Sequence, residues 1–367
     1  MRLLIAKGMR GGGLRFVICA GGIAVSTMLV LVLLAAYRSV SAGVDDLIGQ
    51  SRVALWVAPR GTDNLIRSSG LLDRQALQQL RGIAGIARVE PLIRGFVTAR
   101  SGGTRLTLLG MLVRNAGAFG GRPLLTIGRM PRLASEVALD RSAAHILQTG
   151  LGETISVNGS SARVVGITSR TNLLATQFIF GALPEESPFD LTGPSFALIH
   201  LRPDADAESV RRSISKHLTA VEVMPRQSFV ANNQREVGAG FRPMLLLISL
   251  LGVGSSALLV AFLIESVVET RRGELATLLA TGAAPQVIAA GLAIHAAMLL
   301  ACGVLAGAAA AHLLAAAIDR IAPVIPLSYS LHDFALAAAL LSAAGMAAAI
   351  VPLIRLRHID PLEAFRS

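Results

Sequence analysis

Four runs of this chain contain no Asp, Glu, Lys or Arg: residues 16–37, 244–264, 287–318 and 334–354. Each exceeds the roughly 18 apolar residues that mark a candidate membrane span, since about 20 residues at 1.5 Å rise cross a ~30 Å hydrocarbon core. The chain is 53% hydrophobic with a mean hydropathy of +0.61. That is too apolar for a soluble globule, and the excess sits in these runs. A long polar stretch separates the first run from the other three. The expected fold class is therefore a membrane α-helical protein with four transmembrane helices (1 + 3) and a large extracytoplasmic α+β domain.

Short-loop charge sets the orientation. The leader carries Arg2, Lys7, Arg10 and Arg15 and no acid. Arg271 and Arg272, and the tail residues Arg355, Arg357 and Arg366, fall on the same side of four spans, so that side is expected to be the cytoplasm. The expected organisation is a cytoplasmic segment 1–15, a helix 16–37, the extracytoplasmic domain 38–240 and a helix 241–266. A cytoplasmic loop 267–285, a helix 286–318, a short external loop 319–332, a helix 333–354 and a cytoplasmic tail 355–367 follow. The first run has a basic leader, and Val40-Ser41-Ala42 has the small residues of a cleavage site. Its apolar stretch is longer than the ~7–15 residues of a signal-peptide core, so it reads as an uncleaved span.

Both cysteines, Cys19 and Cys302, lie inside expected spans. The external domain has none and must be held by its own core. A net charge of +11 does not imply nucleic acid, because one Trp and two Tyr supply no stacking platform and the arginines are scattered. The external stretch is basic almost wholly through Arg. Anionic lipid head groups are one reason and an Arg-rich codon usage is another.

The external domain is expected to contain two β-α-β units. Residues 52–57 (RVALWV) alternate as a strand, 73–81 (DRQALQQLR) read as a helix capped by Asp73, and 87–93 extend again. The order recurs with a strand at 196–201, a helix at 206–218 and a strand at 220–224. Between the units lies an inserted β-rich module. It has a strand at 136–140, a helix at 141–149 ended by Gly150, and strands at 154–157 and 162–168. Asn158-Gly159 between the last two is a strong hairpin signal, since a type I′ turn needs φ > 0 at both central positions.

Spans two to four are rich in Ala and Gly. Gly303 and Gly307 form GxxxG, with Ala311 continuing the small face, and Gly345 and Ala349 repeat the pattern. Such spacing lets helix backbones approach closely, on one another or on a second copy. His295 is the notable intramembrane polar group; its bland reading is a neutral imidazole bonded to a neighbouring helix. The run 287–318 is longer than a bilayer needs, so its helix must tilt, kink or project.

Catalytic signatures are few. No G-x-x-x-x-G-K-[ST], H-E-x-x-H or C-x-x-C occurs, so nucleotide binding by a P-loop is excluded and a zinc site is not expected. Ser213–Lys216 match S-x-x-K without its companion motifs and read as solvated surface. The one enzymatic alternative is an intramembrane serine protease, with Ser255 or Ser256 as nucleophile and His295 as base.

Residues 269–282 (ETRRGELATLLATG) put a charged, helix-forming turn between two apolar runs. Glu269, Arg271, Arg272, Glu274, Leu275, Ala276, Leu278, Ala280, Gly282 and Ala283 fit the cytoplasmic loop pattern of the FtsX/MacB class of ABC-transporter permeases. The tail from Asp360 through Pro361, Glu363 and Arg366 resembles that family's D-P-x-E-A-L-R ending, with Phe365 in place of Leu. Residues 136–168 are similar to its external strand–helix–hairpin module. Leu55-Trp56-Val57, residues 61–65 and residues 171–180 look most like the DevC-type branch.

The resemblance implies a non-catalytic subunit whose loop helix docks on a separate ATPase, the permease acting as a dimer and transmitting motion across the inner membrane of a bacterium. Export or extraction of a lipid-like or amphipathic substrate, with or without a periplasmic membrane-fusion adaptor, is the leading expectation. A signalling permease that drives an external cell-wall hydrolase is the alternative. The chain itself is expected to bind no cofactor, ATP being held by the partner. Arg271, Arg272 and Glu274 offer charged contacts there, while Leu275, Leu278 and Leu279 share an apolar face at helical spacing. Two departures stand out. His295 replaces a Glu frequent in the family, and Gly273 disfavours helix, so the docking helix is expected to start after it.

Overall fold

The structure, a computed structural model, describes residues 13–49, 51–65, 70–114, 125–173, 176–183, 193–321, 327 and 329–355. It divides into two units. One comprises Met1–Ala35, Phe241–Ala317 and Leu327–Ser367; the other comprises Ala36–Gly240 and Ile318–Pro326.

In the second unit the two expected β-α-β units both form. They are β1 (Leu55–Pro59), α2 (Arg74–Arg81) and β2 (Ile86–Ser101), then β10 (Phe196–Leu201), α4 (Ala207–His217) and β11 (Val221–Pro225). Asp73 and Asp206 cap the helices, accepting from the N–H groups of Gln75 and Ser209, which satisfies donors a first turn cannot bond internally. The units interleave. β1 lies between β11 and β10, and β10 lies between β1 and β2, every neighbour antiparallel. Each unit is split by a strand of the other.

Alternation then sorts the side chains. Leu55, Val57, Ala197, Ile199 and Val223 face α2 and α4, joining Leu80, Val210 and Ile214 in one core. Trp56 and Phe196 point the other way. Trp56 stacks on Phe229 with ring centroids 4.4 Å apart, and Phe196 meets both rings edge-on at 6.0 and 5.6 Å. Such pairs add about 0.5–1.5 kcal/mol beyond their area. Asn233 pins the loop after β1, its amide oxygen accepting from the Leu65 N–H at 2.8 Å.

The inserted module is more than the expected strand–helix–hairpin. It also contains β3 (Thr104–Val113), the short edge strands β4 (Leu125–Gly128) and β8 (Asn172–Leu173), and β9 (Thr176–Ala182), with β5 (Glu136–Asp140), α3 (Arg141–Ile146), β6 (Thr154–Val157) and β7 (Ser160–Thr168). β2 pairs with β3, β3 with β9, β9 with β5, β5 with β7, β7 with β6, and β6 with β2 again. The ring closes into a six-stranded barrel, which removes the exposed edges an open sheet would leave. Val97, Leu108, Ile179, Val137, Ile155 and Val164 fill it, with Ala143 of α3 and its C-cap Leu147 packed among them. Asn158 and Gly159 have φ of 47° and 87°, as the I′ turn requires. α3 ends at Ile146 rather than near Gly150, and the left-handed residue is Gln148 at φ 49°.

Two buried acids lock the barrel. Asp140 caps α3 through the Ser142 N–H and accepts from the Thr171 backbone and hydroxyl at 3.2 and 2.8 Å. Burial raises its carboxyl above the usual range, against those hydrogen bonds. Glu136 is held by the Arg129 guanidinium and by the N–H groups of Arg132 and Leu133. The Arg129 hydrogen bonds, helped by the backbone donors, lower its pKa to about 2.

The membrane unit contains α1 (Gly13–Val44), α5 (Arg226–Thr270), α7 (Pro285–Ile321) and α8 (Leu331–Arg355), α1 and α5 running on into the other unit. Each holds a window long and apolar enough to cross a membrane. α7 runs 37 residues without a break, about 55 Å at 1.5 Å per residue. Gly303 and Gly307 pack against α1. A Cβ on Gly303 would lie 2.7 Å from Ile23, and one on Gly307 2.5 Å from the Ala24 carbonyl. Gly345 meets Leu300 and Val260 in the same way. The small faces therefore serve contacts within the chain. The Ser26 and Ser255 hydroxyls join α1 to α5 at 2.7 Å, and Ser256 donates to the Leu341 carbonyl of α8 at 3.1 Å.

Gly307→Val will force α7 off α1 and cost about 1–3 kcal/mol, read as a lower thermal midpoint of the detergent-solubilised chain. Gly254→Ala, where nothing lies within 4 Å of the added carbon, keeps or raises the midpoint, since Ala favours the helix interior. The Arg129 pairing holds Glu136 at a pKa of about 2 in the folded chain, below the ~4.3 of an ordinary glutamate. Its stabilisation is complete above the unfolded pKa and is lost as pH falls through the folded one. Hydrogen exchange around residues 129–136 of the full chain will accelerate as pH falls from about 4.5 toward 2, after correction for the intrinsic rate. Glu136→Gln will abolish that acid dependence.

Candidate functional site

The loop 269–282 folds as α6 (Arg272–Ala280), between α5 and α7. The break from α5 is one residue wide. Arg271 leaves helical geometry at φ −112°, ψ 19°, yet its N–H still bonds the Val267 carbonyl and its own carbonyl accepts from Leu275. α6 begins one residue before Gly273, not after it, because these backbone bonds carry the helix across the glycine. At the far end the Ala283 N–H reaches the Leu278 carbonyl and the Gly282 N–H reaches Leu279, both at 3.0 Å, with Gly282 at φ 92°. This is a Schellman stop. Gly282 is thus a stop residue with open space around it, and Pro285 starts α7 where its missing N–H costs nothing.

α6 is two-sided. Leu275 is 8% exposed and packs in the apolar cluster of Cys19, Leu263, Leu292, Ala296 and Leu299. Ala276 is fully buried. Leu278 and Leu279 are half-buried, while Glu269, Arg272, Gly273 and Glu274 are exposed. The sequence grouped Leu275 with the docking face; the structure turns it into the chain's own bundle as an anchor. The charges pair along the surface, Arg271 with Glu274 at 3.8 Å and Arg272 with Glu269 at 3.9 Å. Exposed pairs of this kind contribute about 0–1 kcal/mol, so a partner's charges can displace them at little cost. Arg15 ties α1 to the approach of α6, donating to the Ser266 and Thr270 hydroxyls. The tail positions Asp360, Pro361, Glu363 and Arg366 lie outside the described residues.

His295 meets the edge of the Phe16 ring, centroids 5.7 Å apart, rather than the hydrogen-bonding neighbour expected of it. Ser255 sits at the level of Ser26, ten residues along α1 from Phe16, about 15 Å. Ser256 already donates to Leu341. The structure does not bring the proposed dyad together.

Four apolar helices in a 1 + 3 order, a barrel-bearing insert after the first and an anchored surface helix between the second and third are the architecture of a multi-pass membrane protein with a large β-rich domain outside the spans. Residues 16–217 match the MacB-like periplasmic core domain, and residues 246–361 match the FtsX-like permease C-terminal domain. The chain belongs to the FtsX/MacB class of ABC-transporter permeases, multi-pass proteins of the bacterial inner membrane that pair with an ABC ATPase subunit.

No curated protein sequence matches it. Among solved structures, the periplasmic region of MacB from Actinobacillus actinomycetemcomitans is similar at 16% identity over 49% of this chain and 92% of that one, with a TM-score of 0.37. The extracellular domain of the noncanonic ABC-type transporter YknZ from Gram-positive bacteria is similar at 16% identity over 47% and 98%, with a TM-score of 0.34.

Gly282→Ala will cost about 1–2 kcal/mol, because a Cβ disfavours the left-handed backbone. It will appear as faster hydrogen exchange in the last turn of α6, with α7 unaffected.

Proposed function

We propose that this chain is a non-catalytic transmembrane subunit that couples ATP hydrolysis by a separate ABC ATPase to movement of its extracytoplasmic domain, and so exports or extracts a lipid-like or amphipathic substrate. The observation that supports this most is the two-sidedness of α6. A helix that only covered a bundle would need no charged rim. One that only floated in solvent would not bury Leu275 and Ala276. A helix fixed on one side and charged on the other is a handle, and force applied to Glu269, Arg272 and Glu274 passes through Leu275 into α1, α5 and α7.

The positive-inside arginines put that rim in the cytoplasm, where the ATPase is. The tail from Asp360 to Arg366 is assigned to the same partner. At most a third of each span's most apolar window is buried within the chain, which leaves lipid-facing surface for a second copy in a homodimer. The DevC-type resemblance of residues 55–57, 61–65 and 171–180 supports a lipid-like cargo, and a periplasmic adaptor would engage the external domain.

Reversing the rim with Glu269→Arg and Glu274→Arg in the reconstituted complex will lower stimulated ATP hydrolysis at least tenfold, about 1.4 kcal/mol. The thermal midpoint stays put, since both side chains are exposed. Undiminished hydrolysis would count heavily against the coupling role.

A further inference from the structure

The outer wall of the barrel carries an arrangement that folding alone does not favour. Arg100 of β2 and Arg105 of β3 stand directly opposite in the hairpin register. Like charges so placed destabilise a sheet, their Cβ atoms being about 5 Å apart. Both residues are exposed, and neither guanidinium has a hydrogen-bond or ion-pair partner among the described residues. The row continues on the other side of Arg100. Ser156 of β6 is its partner in register, and Ser161 of β7 is the partner of Ser156. Alternation puts all four on the outer face, since Ala99, Val157 and Ala162 beside them fill the barrel. Two guanidinium forks and two hydroxyls thus line up across four adjacent strands about 4.8 Å apart.

The same face changes character toward the middle of the sheet. The next in-register pair is Thr98 with Thr107, and the one after is Phe96 with Leu109. Phe96 is 66% exposed, whereas Trp56, Phe178, Phe180, Phe196 and Phe229 are buried. From Arg100 to Phe96 is about 14 Å at ~3.4 Å per residue. Charge at the hairpin tip therefore gives way to the exposed Phe96 ring, beside the buried Leu109, over the length of a short acyl chain.

We propose that this face is a binding site for a phosphate-bearing amphiphile, its phosphate held by the Arg100 and Arg105 guanidinium forks with the Ser156 hydroxyl beside them and its apolar part lying over Phe96. Guanidinium forks match a phosphate's oxygens bidentately and form the strong, charge-assisted class of hydrogen bond. A bound dianion turns the Arg–Arg repulsion into two attractions. The site stands on the barrel's geometry and does not depend on how α6 engages its partner.

The test uses the full chain in phosphatidylcholine nanodiscs, titrated with dihexanoylphosphatidic acid below its micelle concentration and, separately, with inorganic phosphate. Binding is followed by hydrogen-exchange protection over residues 96–107 and 154–163. The lipid is expected to protect both segments and to bind at least tenfold more tightly than inorganic phosphate. R100Q/R105Q will weaken lipid binding at least tenfold while keeping or raising the thermal midpoint, because it removes a like-charge pair. Phe96→Ser will weaken the lipid and leave phosphate binding unchanged. R60Q/R202Q, which removes the same charge elsewhere on the external domain, will change neither.

Equal affinity for lipid and inorganic phosphate overturns the amphiphile assignment. Unchanged binding by R100Q/R105Q, or an equal loss with R60Q/R202Q, overturns the site.

Discussion

The membrane unit depends on how closely α7 approaches α1. At Gly303 and Gly307 there is no room for a methyl group between the two helices. In hydrocarbon, where burying apolar surface gives no driving force, close packing of this kind is what associates helices. The contact also fixes register. It sets Phe16 beside His295 and puts Cys19 and Ile23 in the cluster that receives Leu275. The seat of α6 is thus decided two turns away, by residues with no side chain at all. The proposed transfer of force through a surface helix requires a stiff seat, and glycine-mediated backbone contact supplies one.

The external domain solves a different problem. Interleaving the two β-α-β units buries both faces of β1 and β10, one against α2 and α4 and the other against the Trp56–Phe196–Phe229 cluster. The insert could have left a ragged edge where β2 runs on beyond this sheet. Instead the far half of β2 is shared with β3 and β6, and the ring closes. One long strand therefore belongs to both cores, its near half to Val89 and Ile86 and its far half to Val97 and Ala99.

Much of this was legible in the sequence, and what was not has physical reasons. The four spans, the capped helices and the 154–168 hairpin follow from uncharged length, from Asp at Ncap and from Asn-Gly, all local signals. Strand interleaving and barrel closure are not local: nothing within 206–225 says that β11 will pair with β1. β3 does carry a local signal, Gly102-Gly103 between two β-rich runs, a two-residue turn pairing Ser101 with Thr104. Helical spacing groups Leu275 with Leu278 and Leu279, because it shows which residues share a face and not what that face meets. The side of the helix it takes is decided by Leu292 and Leu299 in α7.

Interleaving also has a temporal side. β1 is flanked by β10 and β11, whose residues emerge from synthesis long after it. Until they arrive, β1 has neither neighbour, and the first β-α-β unit cannot form its sheet. The barrel needs only residues up to Ala182, so it is complete first and holds β2 ready as a template. Sequence-distant pairing of this kind slows folding and leaves Leu55–Pro59 as an open strand in the interim, so the domain's assembly runs from its insert outward rather than from its beginning to its end.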